Sequence, residues 1–316
     1  MIAAGALAGS VVLSLLLLLR PESYWFAILA SFCSFAVLGY PVAALLLLGL
    51  RRGVPVPLRR WVTAAVVLAV SGSLFHGLVI APAFVGAHPG GPADLRVLTL
   101  NLRLGHGDAG TAVRLVRDQR IDLAVFEELT PELQARMSAA GIGAMLPYRA
   151  GRAGPGAAGT VVYSAYPLSG DAPIGIGHGI RRVRVAAPSP FTLVAVHASQ
   201  PLSPSGRWRA DWSVLDQVLT STGGPVLAVG DFNATLNHGP VRELLGDGFR
   251  DAARDANSGW QPTWPSGGRF VSRLPLRPGL IAIDHVLMTV PFRAVGTRTF
   301  VVPGSDHRAL VAGLTW

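Results

Sequence analysis

Three apolar runs open the chain, and no other feature restricts its folding as strongly: residues 2–19, 24–50 and 61–85 carry almost no charge. Each reaches the roughly 20 residues that a helix needs to cross a hydrocarbon core. Soluble cores rarely need three such segments in succession, so three transmembrane helices are expected within residues 1–86. A secretory signal would be one such run with a cleavage site behind it. Cleavage after the first run here would leave two more attached to whatever follows. Loop charge sets the direction. Arg51, Arg52, Arg59 and Arg60 crowd the connection between the second and third runs, whereas the opposite loop holds Arg20 and Glu22. Basic loops stay cytoplasmic. The expectation is a multi-pass cell-membrane protein, anchored in the lipid bilayer, whose amino terminus lies inside and whose remaining chain lies outside. His76 falls within the third run. An ionisable group there can be functional, but a neutral imidazole in a helix-bundle interior is the simpler reading. The single cysteine, Cys33, rules out an intrachain disulfide and a thiolate metal cluster.

A Gly/Pro-rich linker, residues 87–93, separates this segment from a domain expected over residues 94–316. The formal net charge is +9, and every basic residue is Arg. Setting aside the five Arg of the first segment and Glu22 leaves 22 Arg against 17 acids from Asp94 onward, about +5. Such a mild excess suits an anionic substrate and equally suits solubility. Strand-like runs (residues 95–102, 123–126, 161–163, 183–185, 193–196, 226–229, 283–287 and 310–312) alternate with helical ones at 111–120, after Pro131, and at 206–219. In the last of these Trp208, Trp212, Leu215 and Leu219 share one face. Mixed strands and helices point to a layered α+β or α/β domain.

The polar residues fall where the apolar strands end. Leu98-Thr-Leu-Asn101 ends in an amide, Leu123-Ala-Val-Phe-Glu127-Glu128 in two acids, and Leu193-Val-Ala-Val-His197 in an imidazole. Val226-Leu-Ala-Val-Gly230-Asp231-Phe232-Asn233 ends in an acid and an amide, and Asp284-His285 and Ser305-Asp306-His307 follow. A carboxylate at a buried strand end is costly unless it has work to do. Catalytic groups gather at strand ends in layered folds, and carboxylates with amides are hard oxygen ligands suited to Mg²⁺.

In this order, Asn101, Glu128, His197, Gly230-Asp231-Phe232-Asn233, Asp284-His285 and Ser305-Asp306-His307 resemble the endonuclease/exonuclease/phosphatase family, which includes deoxyribonuclease I, apurinic endonucleases, neutral sphingomyelinases and inositol polyphosphate phosphatases. The resemblance spans residues 98–307. It implies an α+β fold, a four-layer α/β/β/α sandwich, here preceded by the three membrane helices. It also implies roles. Glu128 is the main Mg²⁺ ligand, possible also for Mn²⁺, with Asn101 supporting the metal or the phosphate and Asp306 near the metal. Asp231 orients or deprotonates the attacking water, Asn233 hydrogen-bonds a phosphate oxygen, and His307 contacts the scissile phosphate with Asp284 fixing its ring. His197 acts as an acid or phosphate ligand.

Two positions depart from the family pattern. Arg103 stands two residues after Asn101 where apurinic endonucleases carry an acid, and it is available to hold phosphate; Glu127 replaces the usual Gln before Glu128 and is an alternative ligand or a neighbouring acid. His285 should face away from Asp284 in a strand. His106, His178 and His238 sit in Gly-rich loops, where solvent exposure is expected. Arg181 and Arg182 either meet the substrate or simply charge an edge strand. Trp264 lies in a loop that resembles one near the family's cleft. The substrate is thus a phosphoester: a lipid head group or cell-envelope phosphate, with nucleic acid the competitor, disfavoured by the lack of a basic run interleaved with aromatics. A catalytically inactive binding module is a further alternative. Nothing calls for an obligate protein partner.

Overall fold

A computed structural model of the chain describes residues 1–20, 23–86, 90–202, 206–266 and 279–316. Glu22 and residues 87–89 of the linker lie outside the described residues. Contacts divide the chain into two units, Met1–Pro82 with Asn237–Gly239, and Ala83–Leu236 with Pro240–Trp316. The backbone of Ala83 and Gly86 is held by the second unit, through Gly259 N at 2.7 Å and Asn257 Nδ2 at 3.0 Å respectively.

The first unit contains α1 (Ile2–Leu19), α2 (Tyr24–Ala30), α3 (Ala36–Leu50) and α4 (Arg59–Ile80). Three helical stretches, Ile2–Leu19, Cys33–Gly53 and Val56–Ala83, are long and apolar enough to cross a membrane. The second apolar run is therefore not one helix. Near Ser31 the backbone bonds shorten to i−3, from Ser31 N to Ile28 O and from Phe32 N to Leu29 O, and α2 stops. Serine hydroxyls compete with helical bonding at such points. Within the bundle, Ser14 Oγ lies 2.7 Å from Tyr40 Oη and 2.9 Å from His76 Nε2, so His76 is buried and polar-bonded between helices.

The second unit runs β1 (Leu95–Asn101), α5 (Ala109–Asp118), β2 (Leu123–Glu127), α6 (Pro131–Ala139), α7 (Ile142–Met145), β3 (Tyr148–Arg152), β4 (Thr160–Ser164), β5 (Leu168–Pro173) and β6 (Arg181–Val185). It continues with β7 (Phe191–His197), α8 (Arg207–Ser221), β8 (Val226–Asp231), β9 (Arg250–Asp251), β10 (Asp284–Met288), β11 (Arg293–Val301) and β12 (Arg308–Thr315). Two six-stranded mixed sheets result, β11-β12-β1-β2-β4-β3 and β5-β6-β7-β8-β10-β9. Among their pairings β1/β2 and β7/β8 are parallel.

The strand period of two sorts side chains into layers. Leu95, Val97, Leu123 and Val125 of the first sheet meet Leu193, Ala195, Leu227, Val229 and Val286 of the second in one inter-sheet core. The alternate residues, Leu98, Leu100, Ala124 and Phe126, turn outward and are covered by Val113, Val116, Leu133 and Met137 of α5 and α6. On the far side α8 buries Trp208, Trp212, Leu215 and Leu219, and Trp212 packs 5.9 Å from the Phe232 ring. Asp108 and Thr130 cap α5 and α6 by accepting bonds from Thr111 N and Leu133 N. Helix, sheet, sheet, helix is the four-layer order expected.

Candidate active site

The same alternation places the polar strand ends. Two residues beyond Val97 and Thr99 in β1 comes Asn101; two beyond Leu123 and Val125 in β2 comes Glu127; β7 continues Leu193, Ala195, His197, and β8 continues Leu227, Val229, Asp231. Each polar residue therefore projects into the inter-sheet space that the apolar residues before it fill. Register aligns them: Asn101 pairs with Glu127 in the first sheet, and His197 with Asp231 and Asp231 with Asp284 in the second. Gly230 makes this alignment possible. A Cβ there would sit 1.9 Å from the Val196 carbonyl oxygen, so only glycine lets β8 run this close to β7.

The side chains meet around Asp231. Asn101 Nδ2 donates to Glu128 Oε1 and to Asp231 Oδ2, both at 3.1 Å. Asp231 Oδ1 accepts from Asn233 N at 2.8 Å, and Asn233 Nδ2 reaches Ala198 O at 2.9 Å. Glu128 Oε2 accepts from Leu104 N at 2.6 Å. His197 Nε2 lies 3.6 Å from Glu128 Oε1 and 3.9 Å from Asp231 Oδ2. His307 Nδ1 is 2.9 Å from Asp284 Oδ2, and its Nε2 is 3.7 Å from Asp231 Oδ2. Left-handed backbone is concentrated here: Arg103, Leu104, Glu128 and Asn233 have φ of 48°, 52°, 55° and 48°. Such conformations cost of order 1–3 kcal/mol each and persist where surroundings over-determine them.

Burial and charge set the protonation states. Burial pushes Asp231 up, to about 7; the His307 cation opposes this and the Asp284 carboxylate adds to it. Burial alone would lower His307, but the carboxylates of Asp284 and Asp231 and the Asp284 hydrogen bond hold it protonated up to about 10. His197 is buried and stays neutral, held down to about 3, with His178 and His307 adding to the shift. Glu127, fully buried, is raised well above the carboxylate range by burial and then by Asp284 and Asp231, with Thr99 Oγ1 donating to its Oε1 at 2.9 Å. Burial thus favours the protonated, uncharged form of Glu127, which has the shape of a glutamine.

The remaining expected residues stand further out. Arg103 is exposed, and its backbone is engaged at both ends, its N–H with Asn101 Oδ1 at 2.9 Å and its carbonyl with His106 N at 2.9 Å. Asp306 is half-buried and helps keep His307 charged. Asp231, Asp284 and His307 offer ligand atoms within 4.8 Å of one another, so this buried group could hold a metal ion; neither Glu128 nor Asp306 belongs to that group. His285 faces away, bonded to Asp251 Oδ2 at 3.1 Å and Ala234 O at 2.9 Å. Arg181 is tied to Asp171 at 2.7 Å.

Sequence reasoning overlooked the supports. Thr99 lies two residues before Asn101, hence on the same face, and that spacing would have found it. Ser305 Oγ donates to Asn101 O at 2.6 Å and accepts from His307 N at 2.9 Å. Thr263 Oγ1 accepts from Ile283 N and Asp284 N at 3.1 and 3.2 Å, anchoring the start of β10. His178, expected in solvent, is half-buried with its ring 4.9 Å from that of His197.

Comparison with known proteins fits this geometry. Solved structures with the same fold include an AP endonuclease from Archaeoglobus fulgidus (17% identity, TM-score 0.56, covering 69% of this chain and 98% of that one). A sphingomyelinase C from Streptomyces griseocarneus matches at 17% identity and a TM-score of 0.50 over 71% of this chain and 100% of that one. A mannosyl-6-phosphatase from Bacteroides thetaiotaomicron VPI-5482 matches at 13% identity and 0.50, over 71% and 100%. No curated protein sequence matches the chain. Residues 98–307 match the family model directly, and the chain belongs to the Endonuclease/Exonuclease/phosphatase family, whose members are hydrolases acting on phosphoesters.

Proposed function

We propose that this chain is a membrane-anchored hydrolase of phosphoester bonds, dependent on Mg²⁺ or Mn²⁺, acting on a lipid or cell-envelope phosphoester outside the cytoplasmic membrane. One observation carries the reading: the tips of β1, β2, β7, β8 and β10, with His307 ahead of β12, crowd acids, amides and imidazoles around Asp231.

The donor set fits a hard divalent cation. The carboxylates of Glu128 and Asp306 and the amide of Asn101 are oxygen ligands, and the acids Asp231 and Asp284 beside them add negative charge. Asp284 Oδ1 is buried without a hydrogen bond among the described residues, and Asp231 bears the cost of crowded negative charge. Glu128, Asn101 and Asp306 would hold the ion, with Asn101 turning its amide oxygen to face it. When bound, the ion supplies charge neutralisation at the phosphoryl oxygens. His307 has no ligand role in this reading: its Nδ1 is taken up by Asp284, and the neighbouring carboxylates favour its protonated form.

The chain's own residues do the rest. Asp231, titrating near neutrality, takes a proton from the attacking water. His307, its ring held by Asp284, presents a charged N–H to the phosphoryl group, and Asn233 adds a neutral donor. Neutral His197 hydrogen-bonds the phosphate or the leaving oxygen, and exposed Arg103 meets the anionic substrate at the rim. Tethering favours a substrate at the same membrane surface, and the Arg-rich loop between the second and third apolar runs supports an outward-facing domain. The test is a substrate panel for the detergent-solubilised chain, stripped of metal and then given Mg²⁺ or Mn²⁺. Lipid phosphoesters in vesicles should turn over fastest. Fastest turnover on nucleic acid would replace the substrate assignment, and no metal-dependent turnover on any phosphoester would overturn the enzyme assignment.

A further inference from the structure

An imidazole at a catalytic site needs something to fix its ring plane. For His307 that is the Asp284 carboxylate on Nδ1. His197 has no such partner. Its Nε2 faces Glu128 and Asp231, while its Nδ1 is buried without a well-formed hydrogen bond among the described residues, and the backbone of Ala157 and His178 lies close to the ring.

The loop between β5 and β6 supplies the missing constraint. Ile174 N donates to Ile180 O at 3.0 Å and closes its base. Inside, Gly177 and Gly179 adopt φ of 60° and 101°. A Cβ on Gly177 would lie 2.3 Å from the His197 carbonyl oxygen, and one on Gly179 would lie 2.9 Å from that of Ala158. A side chain at 177 would drive the loop off the end of β7, and one at 179 would drive it off the start of β4. With glycines there, His178 N donates to His197 O at 2.8 Å, and His178 O accepts from Thr160 Oγ1 at 3.1 Å. These two bonds fix the His178 backbone, and its ring then lies on His197 with centroids 4.9 Å apart and planes at 43°. We infer that His178 is a positioning residue of the active site, whose ring takes the place of a carboxylate in setting the plane of the His197 imidazole. The inference rests on the phosphoester-hydrolase reading only for its activity readout.

The test uses the full-length chain in detergent with ¹⁵N-labelled histidine, comparing the wild type with His178→Ala and His178→Phe. The His197 ring signals of the wild type should report one tautomer. His178→Ala should broaden or average them and lower kcat about tenfold with KM little changed, the low end of what loss of an orienting neighbour costs. His178→Phe, which keeps a flat ring on His197, should restore both. Unchanged His197 signals in His178→Ala would overturn the inference. So would a lowered kcat that His178→Phe fails to rescue, since that would mean direct contact with substrate. If the wild type hydrolyses no phosphoester, the functional reading fails, while the His197 signals of the two variants still decide the positioning role.

Discussion

Two Asp–His pairs branch from adjacent residues of β10, Asp284 and His285, and differ in their surroundings. In one, Asp284 Oδ2 meets His307 Nδ1 at 2.9 Å; in the other, Asp251 Oδ2 meets His285 Nδ1 at 3.1 Å. All four residues are buried. Both histidines are held above their ordinary pKa by their carboxylates, against burial. The difference is the second nitrogen. His285 Nε2 is consumed by the Ala234 carbonyl at 2.9 Å, whereas His307 Nε2 lies 3.7 Å from Asp231 Oδ2 and, in the proposed function, donates to a phosphoryl oxygen. A buried Asp–His pair thus marks a functional site only where its outer nitrogen is free. Where both nitrogens are bonded within the protein, the pair is a structural pin that ties β10 to β9 and to the chain after β8.

The sharpest way to break this comparison is to remove each outer pair member in turn. His307→Ala should cost about 10²- to 10⁴-fold in metal-dependent turnover, the range for a group acting in proton transfer or charge stabilisation at the reacting centre. Steady-state kinetics on the preferred phosphoester checks this. Asp251→Asn should leave turnover per folded molecule within about threefold and instead lower stability, by roughly 3 kcal/mol, because a buried charged partner loses its mate; thermal unfolding measures this. The pH dependence should follow. The His285 pKa is raised in the folded state, so the stabilisation from the pin is complete below about 6.5 and is lost as pH rises through the folded value. The melting-temperature gap between wild type and Asp251→Asn should therefore narrow on the alkaline side. Asp284→Asn, which leaves His307 in place but poorly oriented, should cost about 10- to 100-fold in turnover. The smallest effect belongs to Glu127→Gln. Burial favours the uncharged form of that side chain, so turnover should stay within about threefold; a thousandfold loss would mean that Glu127 works as an anion.

Much of the site was legible because strand alternation is a local rule. Asn101, His197 and Asp231 end apolar strands, Glu128 follows one and Asp284 begins one, and parity alone turns Asn101, His197 and Asp231 toward the inter-sheet space. Partners across the chain were legible only through the family resemblance, which paired Asp284 with His307 and said nothing of a partner for His285. Asp284-His285 and Asp306-His307 each look like a pair in sequence, yet Asp284 and His285, adjacent in a strand, face opposite ways. The real pairs are Asp284 with His307 and His285 with Asp251, an acid on a two-residue strand with no pattern to announce it. The strand Leu168–Pro173 (Leu-Ser-Gly-Asp-Ala-Pro) was invisible for the same reason: it is a mostly exposed edge without apolar alternation. Arg293–Val301, also at a sheet edge, mixes polar and apolar residues around a register shift. The second apolar run looked continuous because hydropathy does not register the change to i−3 bonding near Ser31. His178 was hidden because glycine content says that a loop bends, not what it bends against.

The most direct measurement places His307→Gln and His285→Gln side by side in one assay, with turnover normalised to folded protein. The free-nitrogen account predicts loss of at least about a hundredfold for His307→Gln and near wild-type turnover for His285→Gln. Equal losses, or the larger loss at His285, would contradict it.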